Sequence, residues 1–560
     1  MNAERLLEVY EKISEAPDAI GRLRRFVLNL AVRGKLVEQD TGEEPASLQC
    51  GRIAAAKAQL ALKERKARKK LVDPSLTEIS FDLPDGWAEA RFADLVRVVN
   101  GRAYKKPELL SEGTPVLRVG NLFTSDHWYY SDLELEEDKY CNEGDLIYAW
   151  SASFGPFIWE GPRVIYHYHI WKLPLFSEDN LSKRYIFLFL QQKTREIKDA
   201  GHGISMIHMT KEKMEQLAVP VPPLAEQHRI VARVDELMGI CDRLEEARKT
   251  REKTRDKLAA ASLTRLTAPE TSAEEFPAHA QFALDALPSI TSRPDQIKTL
   301  RQTILNLAVR GKLVEQNPED EPASDLLIKI GALRRRNSSA KVKVPDLPFS
   351  LPDGWASASV QDTLLHDREI SYGVIKLGNE PKSGGVPTLR CSDVRPGYVD
   401  ERMVRRVQED IEAQYHRTRL FGGEVLINIR GTLGGVAEVP VTMVGFNVAR
   451  EVAVIPISEL MVARYMVYLM LSPFFWDHIQ GNLRGIAYKG LNLGTLRALP
   501  IPIPPQAEQR RIVSKLDVLM AICDRLEATL TTADTTRTRL LDALLKEALE
   551  PATGALEAAE

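Results

Sequence analysis

Apolar residues recur at spacings of three and four in Ile20, Leu23, Val27 and Leu30, which predicts an amphipathic helix over about 19–33. Gly34 falls just past its end, where a positive φ is common. Leu300, Ile304, Leu307 and Gly311 repeat the pattern in the second half. Leu6, Leu7, Tyr10 and Ile13 predict a short helix over 3–13, interrupted by Pro17. Residues 54–70 are rich in Ala, Lys and Arg and read as helix, and 332–343 is a more basic counterpart. Both are taken first as solvated linkers and second as nucleic-acid contacts. Short runs rich in β-branched and aromatic residues predict strands around 115–119, 145–148, 164–166 and 170–173, and around 387–390, 424–429 and 451–455. One helix is expected in each of these regions, over 183–198 and 460–480. Residues 224–266 and 507–549 read as long helices. In the second, Ile512, Leu516, Leu519, Cys523, Leu526 and Leu530 alternate steps of four and three, a coiled-coil-like seam resuming at Leu540 and Leu544. Ile230, Val234, Leu237, Cys241 and Leu244 form the matching seam of the first. Cys241 and Cys523 are read as small core residues within it.

The chain is duplicated. Residues 29–39 (NLAVRGKLVEQ) recur identically at 306–316, 44–47 (EPAS) at 321–324, and 83–87 (LPDGW) at 351–355. Pro222 and Pro223 followed by 225–227 (AEQ) match Pro504, Pro505 and 507–509, and 240–245 (ICDRLE) recurs at 522–527. The regions between, roughly 88–217 and 356–499, resemble each other far less. Two explanations remain: packed helices tolerate less change than surface loops, or the frame makes one contact twice while the inserts read two targets. The second is preferred.

The expected fold class is α+β. Two small α+β insert domains alternate with long helices packed as an antiparallel coiled-coil-like spacer, with a pseudo-twofold internal duplication. The expected layout is an N-terminal helical region over 1–80, a first insert domain over 81–222 and a spacer helix over 223–266. A Thr-, Pro- and Ser-rich linker over 267–295 follows. The second copy runs as a helical region over 296–345, an insert domain over 346–505 and a spacer helix over 506–550.

Composition narrows the function mainly by exclusion. The 560 residues are 44% hydrophobic, so most of the chain is globular. The net charge of −3 offers no support for nucleic-acid binding. Residues 82–222 hold 21 acidic and 16 basic side chains, and 356–505 hold 15 and 16. Any DNA contact must come from a local patch, or be shared with a partner carrying its own positive charge. The cysteines, Cys50, Cys141, Cys241, Cys391 and Cys523, form no Cys-x-x-Cys pair, which argues against a local zinc site or a disulfide framework. A charged start and the absence of a long apolar run lead to the expectation of a cytoplasmic protein. There is no phosphate-binding Gly-x-x-x-x-Gly-Lys-Ser/Thr, no His-Glu-x-x-His and no Asn-Pro-Pro-Phe/Tyr. His127, His167, His169, His202 and His208 crowd the first insert, and the alternating pair His167 and His169 is read as ordinary strand histidine rather than as a metal site.

The repeated blocks allow a family resemblance. Residues 28–37 and 305–314, the LPDGW openings ending at Trp87 and Trp355, the stretch 423–435 (GEVLINIRGTLGG) and the closing runs 217–231 and 499–513 resemble the specificity subunit of Type I restriction-modification systems over essentially the whole chain. The resemblance implies a non-catalytic DNA-binding subunit whose two domains each read half of a split target, with the helices as a ruler. It also implies partners: double-stranded DNA, two methyltransferase subunits that use S-adenosylmethionine, and restriction subunits that use ATP with Mg. No cofactor or metal is expected on this chain. A helical scaffold with two protein- or ligand-binding inserts is the alternative, and an enzyme using the histidine-rich insert a further one.

Base reading needs side chains that form paired hydrogen bonds from a rigid support, and phosphate binding needs Lys, Arg, Ser, Thr or backbone amides. In the first domain the candidates are Tyr104, Lys105, Lys106, Arg118, Asn121, Ser151, Ser153, Gly203 and Ser205. In the second they are Arg368, Tyr372, Arg390, Ser392, Arg430, Thr432, Arg484, Gly485, Tyr488 and Lys489.

Overall fold

The computed structural model describes residues 15–63, 79, 81–151, 153–200, 209–267, 275–333, 346–483 and 490–549. The helix expected over 3–13, and residues 64–70 and 334–343 of the two basic stretches, lie outside them. The chain forms two compact units, Met1–Thr250 with Asp534–Glu560, and Arg251–Ala533. The duplication is visible element by element. Each unit contains a leading helix, Ala19–Val32 or Pro294–Val309, and a second helix, Ala46–Lys63 or Ala323–Leu333. A mixed α+β head follows, and then a 44-residue helix begins, Leu224–Thr267 or Gln506–Leu549. Each long helix is about 66 Å from end to end. Among the described residues, no helix is long and apolar enough to cross a membrane.

Each head is closed by pairing its first strand with its last. Ala88–Arg91 runs antiparallel to Ala218–Val221, and Ala356–Ser359 to Pro500–Ile503. Prolines in these last strands are tolerated because each pair has only two strands, with one edge free of ladder partners. The following Pro222-Pro223 and Pro504-Pro505 then end the strand ahead of the long helix.

The near-verbatim repeat has a specific internal cause. Glu226, 1% exposed, accepts a hydrogen bond from Trp87 Nε1 at 3.1 Å and another from Gln39 Nε2 at 3.1 Å. Glu508 accepts the same pair from Trp355 at 3.0 Å and Gln316 at 3.0 Å. The same glutamine amides also donate to the carbonyls of Gly34 and Gly311, at 2.8 and 3.0 Å. Those glycines have φ of +65° and +67°, and a Cβ there would lie 2.4 Å from Pro84 or Pro352. Gln227 and Gln509, fully buried, accept from the backbone N–H of Ser182 and Val462 and donate to Pro222 and Pro504 carbonyls. Asp242 and Glu245 of the ICDRLE block bind Arg24, while Asp524 and Glu527 bind Arg301. These repeated polar residues are thus committed to contacts inside their own unit. Helix packing and buried hydrogen bonding account for them without an outside partner.

The leading helices anchor the heads. Val27, Leu28, Ala31 and Val32 share a core with Trp87, Phe189, Val219, Ile230 and Val234. Ile297, Ile304, Leu305 and Ala308 share one with Trp355, Phe475, Ile501, Ile512, Leu516 and Cys523. From Ile512 to Leu530 the predicted seam of the second long helix therefore packs with Pro294–Val309 in one cluster, while Leu540 and Leu544 belong to a separate cluster with Ala16 and Ala19. Cys241 and Cys523 are buried in the seams, as read from spacing.

Two expectations need correction. Residues 267–295 are not a plain linker: Phe276–Ile290 is a helix, because Phe276, Ala280 and Ala283 pack on Leu263, Leu266 and Leu307. The helix expected over 460–480 is two, Ala463–Leu471 and Pro473–Leu483. Ser472 is extended between them, and Pro473 has no N–H to continue the first helix.

Replacing Glu226 or Glu508 by Gln turns an amide NH2 toward one of two N–H donors. We expect each variant to lose about 1–3 kcal/mol in urea denaturation. Burial also raises both carboxyl pKa values above the ordinary glutamate value. The folded state then holds these protons more tightly than the unfolded chain. The resulting stabilisation is full below the unfolded pKa and lost as pH rises through the folded one. The doubly substituted protein should show a shallower loss of stability over that interval.

Candidate nucleic-acid interface

Each head is built on two small sheets whose strand ends bring several loops together. In the first head, one sheet has the order Val99–Asn100, Ile170–Lys172, Leu146–Ala149, Gly155–Ile158. The second head repeats it as Ser371–Tyr372, Val452–Ile455, Val425–Asn428, Val436–Glu438. The other sheet contains a parallel pair in both heads: Thr114–Leu117 with Val164–Tyr166, and Val386–Leu389 with Asn447–Val448.

Loop hydrogen bonds superimpose the two heads residue by residue. His167 N donates to Leu117 O at 2.9 Å, and Ala449 N to Leu389 O at 2.8 Å. Tyr168 N donates to Arg102 O at 3.0 Å, and Arg450 N to Val374 O at 2.9 Å. Trp150 N donates to His169 O at 3.0 Å, and Ile429 N to Glu451 O at 2.8 Å. Gly101 and Gly373 occupy equivalent crossings where a Cβ would strike the neighbouring backbone, at 2.4 Å from His167 O and 1.7 Å from Val448 O. Three loops therefore meet in each head. They run through Tyr104, Arg118 with Ser151, and Tyr168 in the first head, and through Lys376 just after Tyr372, Arg390 with Arg430, and Arg450 in the second.

The backbone is shared but the side chains differ. The first head presents an aromatic cluster. Tyr104 stacks on His167 with ring centres 6.5 Å apart, His167 meets His169 at 4.8 Å, and Trp150 lies 5.0 Å from His169 and 5.8 Å from Trp171. Burial, helped by the nearby His169 and Arg118, pushes the His167 pKa down to about 4. His167 is thus neutral near pH 7, and its Nδ1 accepts from the His169 backbone N–H at 3.5 Å. Among the described residues no group of three or more His, Cys, Asp or Glu is arranged to hold a metal. Tyr104 is half-buried, and burial raises its pKa well above the usual value. Its hydroxyl finds no hydrogen-bond partner among the described residues. Lys105 and Lys106 are exposed at the turn Lys106–Glu108. Arg118 is exposed, with its guanidinium 5.1 Å from the centre of the Tyr129 ring. Ser151 is half-buried and Ser153 exposed.

Several candidates turn out to organise loops. Asn121 Oδ1 accepts from Arg118 N at 3.1 Å, and its amide donates to His127 O at 2.8 Å and Ser125 O at 3.4 Å. Asp393 plays the same part in the second head, accepting from Arg390 N at 2.8 Å. Asp393 also binds the Arg390 guanidinium at 3.3 Å and the Ser392 hydroxyl at 2.8 Å. Arg368 donates to the buried Glu424 at 2.6 Å and to Arg419 O at 3.0 Å. Arg368, Arg390, Asn121 and Ser392 therefore have polar atoms engaged by internal partners. Tyr372, 44% exposed, Arg430 and Thr432 stay at the surface. Gly203, Ser205, Arg484, Gly485, Tyr488 and Lys489 lie outside the described residues. Leu491, just beyond the latter group, donates its N–H to Ile429 O at 2.8 Å.

Sequence reasoning missed Arg450 and Asn428. Buried Asn428 donates to the carbonyls of Cys391, Val394 and Thr432 at 2.9, 3.2 and 3.1 Å, tying the Arg390 loop to the Arg430 loop. A Cβ on Gly435 would sit 2.3 Å from that amide, which explains one glycine of the GEVLINIRGTLGG stretch. The signal for Arg450 was available: it follows a strand whose counterpart in the first head carries the histidine pair.

The fold and these paired surfaces describe a two-headed recognition protein held on a helical frame. The Type I restriction modification DNA specificity domain matches twice, over 84–252 and 373–533. The chain belongs to that family. It is 27% identical to the Type I restriction enzyme EcoAI specificity subunit of Escherichia coli, over 95% of this chain and 94% of the relative. It is 26% identical to the EcoEI specificity subunit of Escherichia coli, over the same shares. Among solved structures, the HsdS subunit from Thermoanaerobacter tengcongensis aligns over 85% of this chain and 99% of that one, at 17% identity and a TM-score of 0.40. As a member of this family the chain is a non-catalytic, DNA-recognising specificity subunit.

Arg368→Ala leaves Glu424 buried without its cation. We expect a loss of about 3 kcal/mol or more in urea denaturation, with the salt slope of DNA binding by the folded fraction unchanged.

Proposed function

We propose that each head reads one half of a split duplex target, and that the long helices set the distance between the halves. The observation that supports this most directly is the pair of superimposable loop sets carrying different side chains: Ser151, Tyr168 and His169 in one head, Arg430, Arg450 and Glu451 in the other. One backbone design repeated with unlike chemistry fits two unlike half-sites.

Two methyltransferase subunits dock on the helical frame in this reading and methylate one adenine in each half from S-adenosylmethionine. The flipped base enters a pocket of the partner, since such chemistry needs the base out of the stack. Restriction subunits add ATP- and Mg-dependent steps, and the assembly works in the cytoplasm. The heads themselves are close to neutral, with 21 acidic against 16 basic residues over 82–222. Phosphate binding, which dominates affinity and its salt dependence, is therefore shared with the partner's positive charge.

A gel shift with mixed duplex DNA should show weak binding by the chain alone and strong binding once the methyltransferase subunit is added. Equal binding in both lanes contradicts the shared-charge account. Methylation by the purified chain with S-adenosylmethionine alone contradicts the division of labour. Mapping methylated adenines in source-cell DNA should reveal a split motif with one modified adenine per half. Arg430→Ala should weaken binding and relax discrimination at one base pair by about 1–3 kcal/mol, read from competition between single-base variants of the site.

A further inference from the structure

We propose that Arg430 and Arg450 form a two-guanidinium guanine reader, so that the half-site of the second head contains guanine where that of the first head does not require it. This rests on the reading of the heads as half-site readers and adds the base chemistry of one of them.

The two arginines sit just beyond the same end of a strand pair. Ile427 pairs with Ala453 and Asn428 with Val452, and Arg430 and Arg450 lie on the two adjoining turns past the last of these pairs. The chain leaves the ladder there, with Ile429 N and Arg430 N both donating to Glu451 O at 2.8 and 3.3 Å. Both arginines are exposed, and neither forms an ion pair among the described residues. Most arginines of the head are held: Arg368, Arg390, Arg402 and Arg419 by carboxylates, and Arg405 and Arg406 by backbone carbonyls. Arg395 and Arg417 share the lack of an ion pair among the described residues, but they do not lie on the two turns that close this strand pair.

Like charges held on adjoining turns repel. Among the described residues no carboxylate pairs with either arginine to relieve this, so the surface is arranged for an electronegative ligand from outside. A phosphate and the N7/O6 edge of guanine both qualify. The strand-end mounting favours guanine. Asn428 fastens the Arg430 turn to the neighbouring loop, the Arg450 N–H donates to Val374 O, and the planar two-donor fork of each side chain matches that base edge. In the first head the equivalent positions are Ser151 and Tyr168, neither of which carries a positive charge.

The test uses the full chain assembled with its methyltransferase subunits and a duplex library randomised in both halves. Exchanging 356–503 for the corresponding domain of a relative identifies the half-site of the second head. That half-site should contain guanine. Arg450→Ala and Arg450→Lys should each relax one guanine position about 5- to 150-fold, leaving the first half-site unchanged. Lys keeps the charge but not the fork. A second half-site without guanine overturns the inference. So does retention of every preference in both variants, or a uniform loss in Arg450→Ala that Arg450→Lys restores, which is phosphate behaviour. A wild-type assembly with no split motif overturns the parent reading together with this one.

Discussion

A carboxylate buried at the base of each head governs the architecture. Glu226 and Glu508 stand in the first turn of their long helices, where the helix dipole favours negative charge. Each gathers an indole N–H from the head's opening turn and an amide N–H from the segment after the leading helix. One side chain thereby joins three parts of a unit distant in sequence. An unpaired carboxylate at that depth would be strongly unfavourable, so the partners are required together. This coupling explains why Gln39, Trp87 and Glu226 recur as a set in Gln316, Trp355 and Glu508.

Around this clamp, small geometric requirements propagate outward. Gly34 and Gly311 take positive φ against a proline ring, which lets the leading helix turn close to the tryptophan. Arg24 and Arg301 then fasten the leading helix to the acidic residues of the long helix about four to five turns further on. The head's last strand runs directly into that helix, so the orientation of the head on its long helix is set by backbone pairing and not by a free loop.

Function is separated from this frame in space and in chemistry. The frame has its polar groups satisfied internally, whereas the loop ends of the heads leave Arg118, Arg430 and Arg450 exposed without carboxylate partners among the described residues. Surface positions of this kind can change without disturbing the core, which is why the two heads diverge where the frame does not. The first head's aromatic and neutral-histidine cluster and the second head's arginine pair are two outcomes on one scaffold.

The duplication, the α+β class, the long helices and the central strands of each head were legible from the sequence, because periodicity and repeated blocks report local burial directly, whereas the short edge strands were not. The family followed from the same blocks. Long-range pairing decided the remainder. Nothing in the spacing of Arg368 or Asn121 marks it as internally committed, since Glu424 lies 56 residues from the first and the second is consumed by a turn that exists only once the strand before it is placed. The turns carrying Arg430 and Arg450 come to one end of the head only through the register of two strands that are 20 or more residues apart in the chain. The helix Phe276–Ile290 likewise forms against apolar residues that folding brings to it. Amino-acid order thus set which segments become helix, strand and repeat, while tertiary contact chose which charged side chains are paired away and which are left facing outward, because pairing depends on distances in space that sequence separation does not encode.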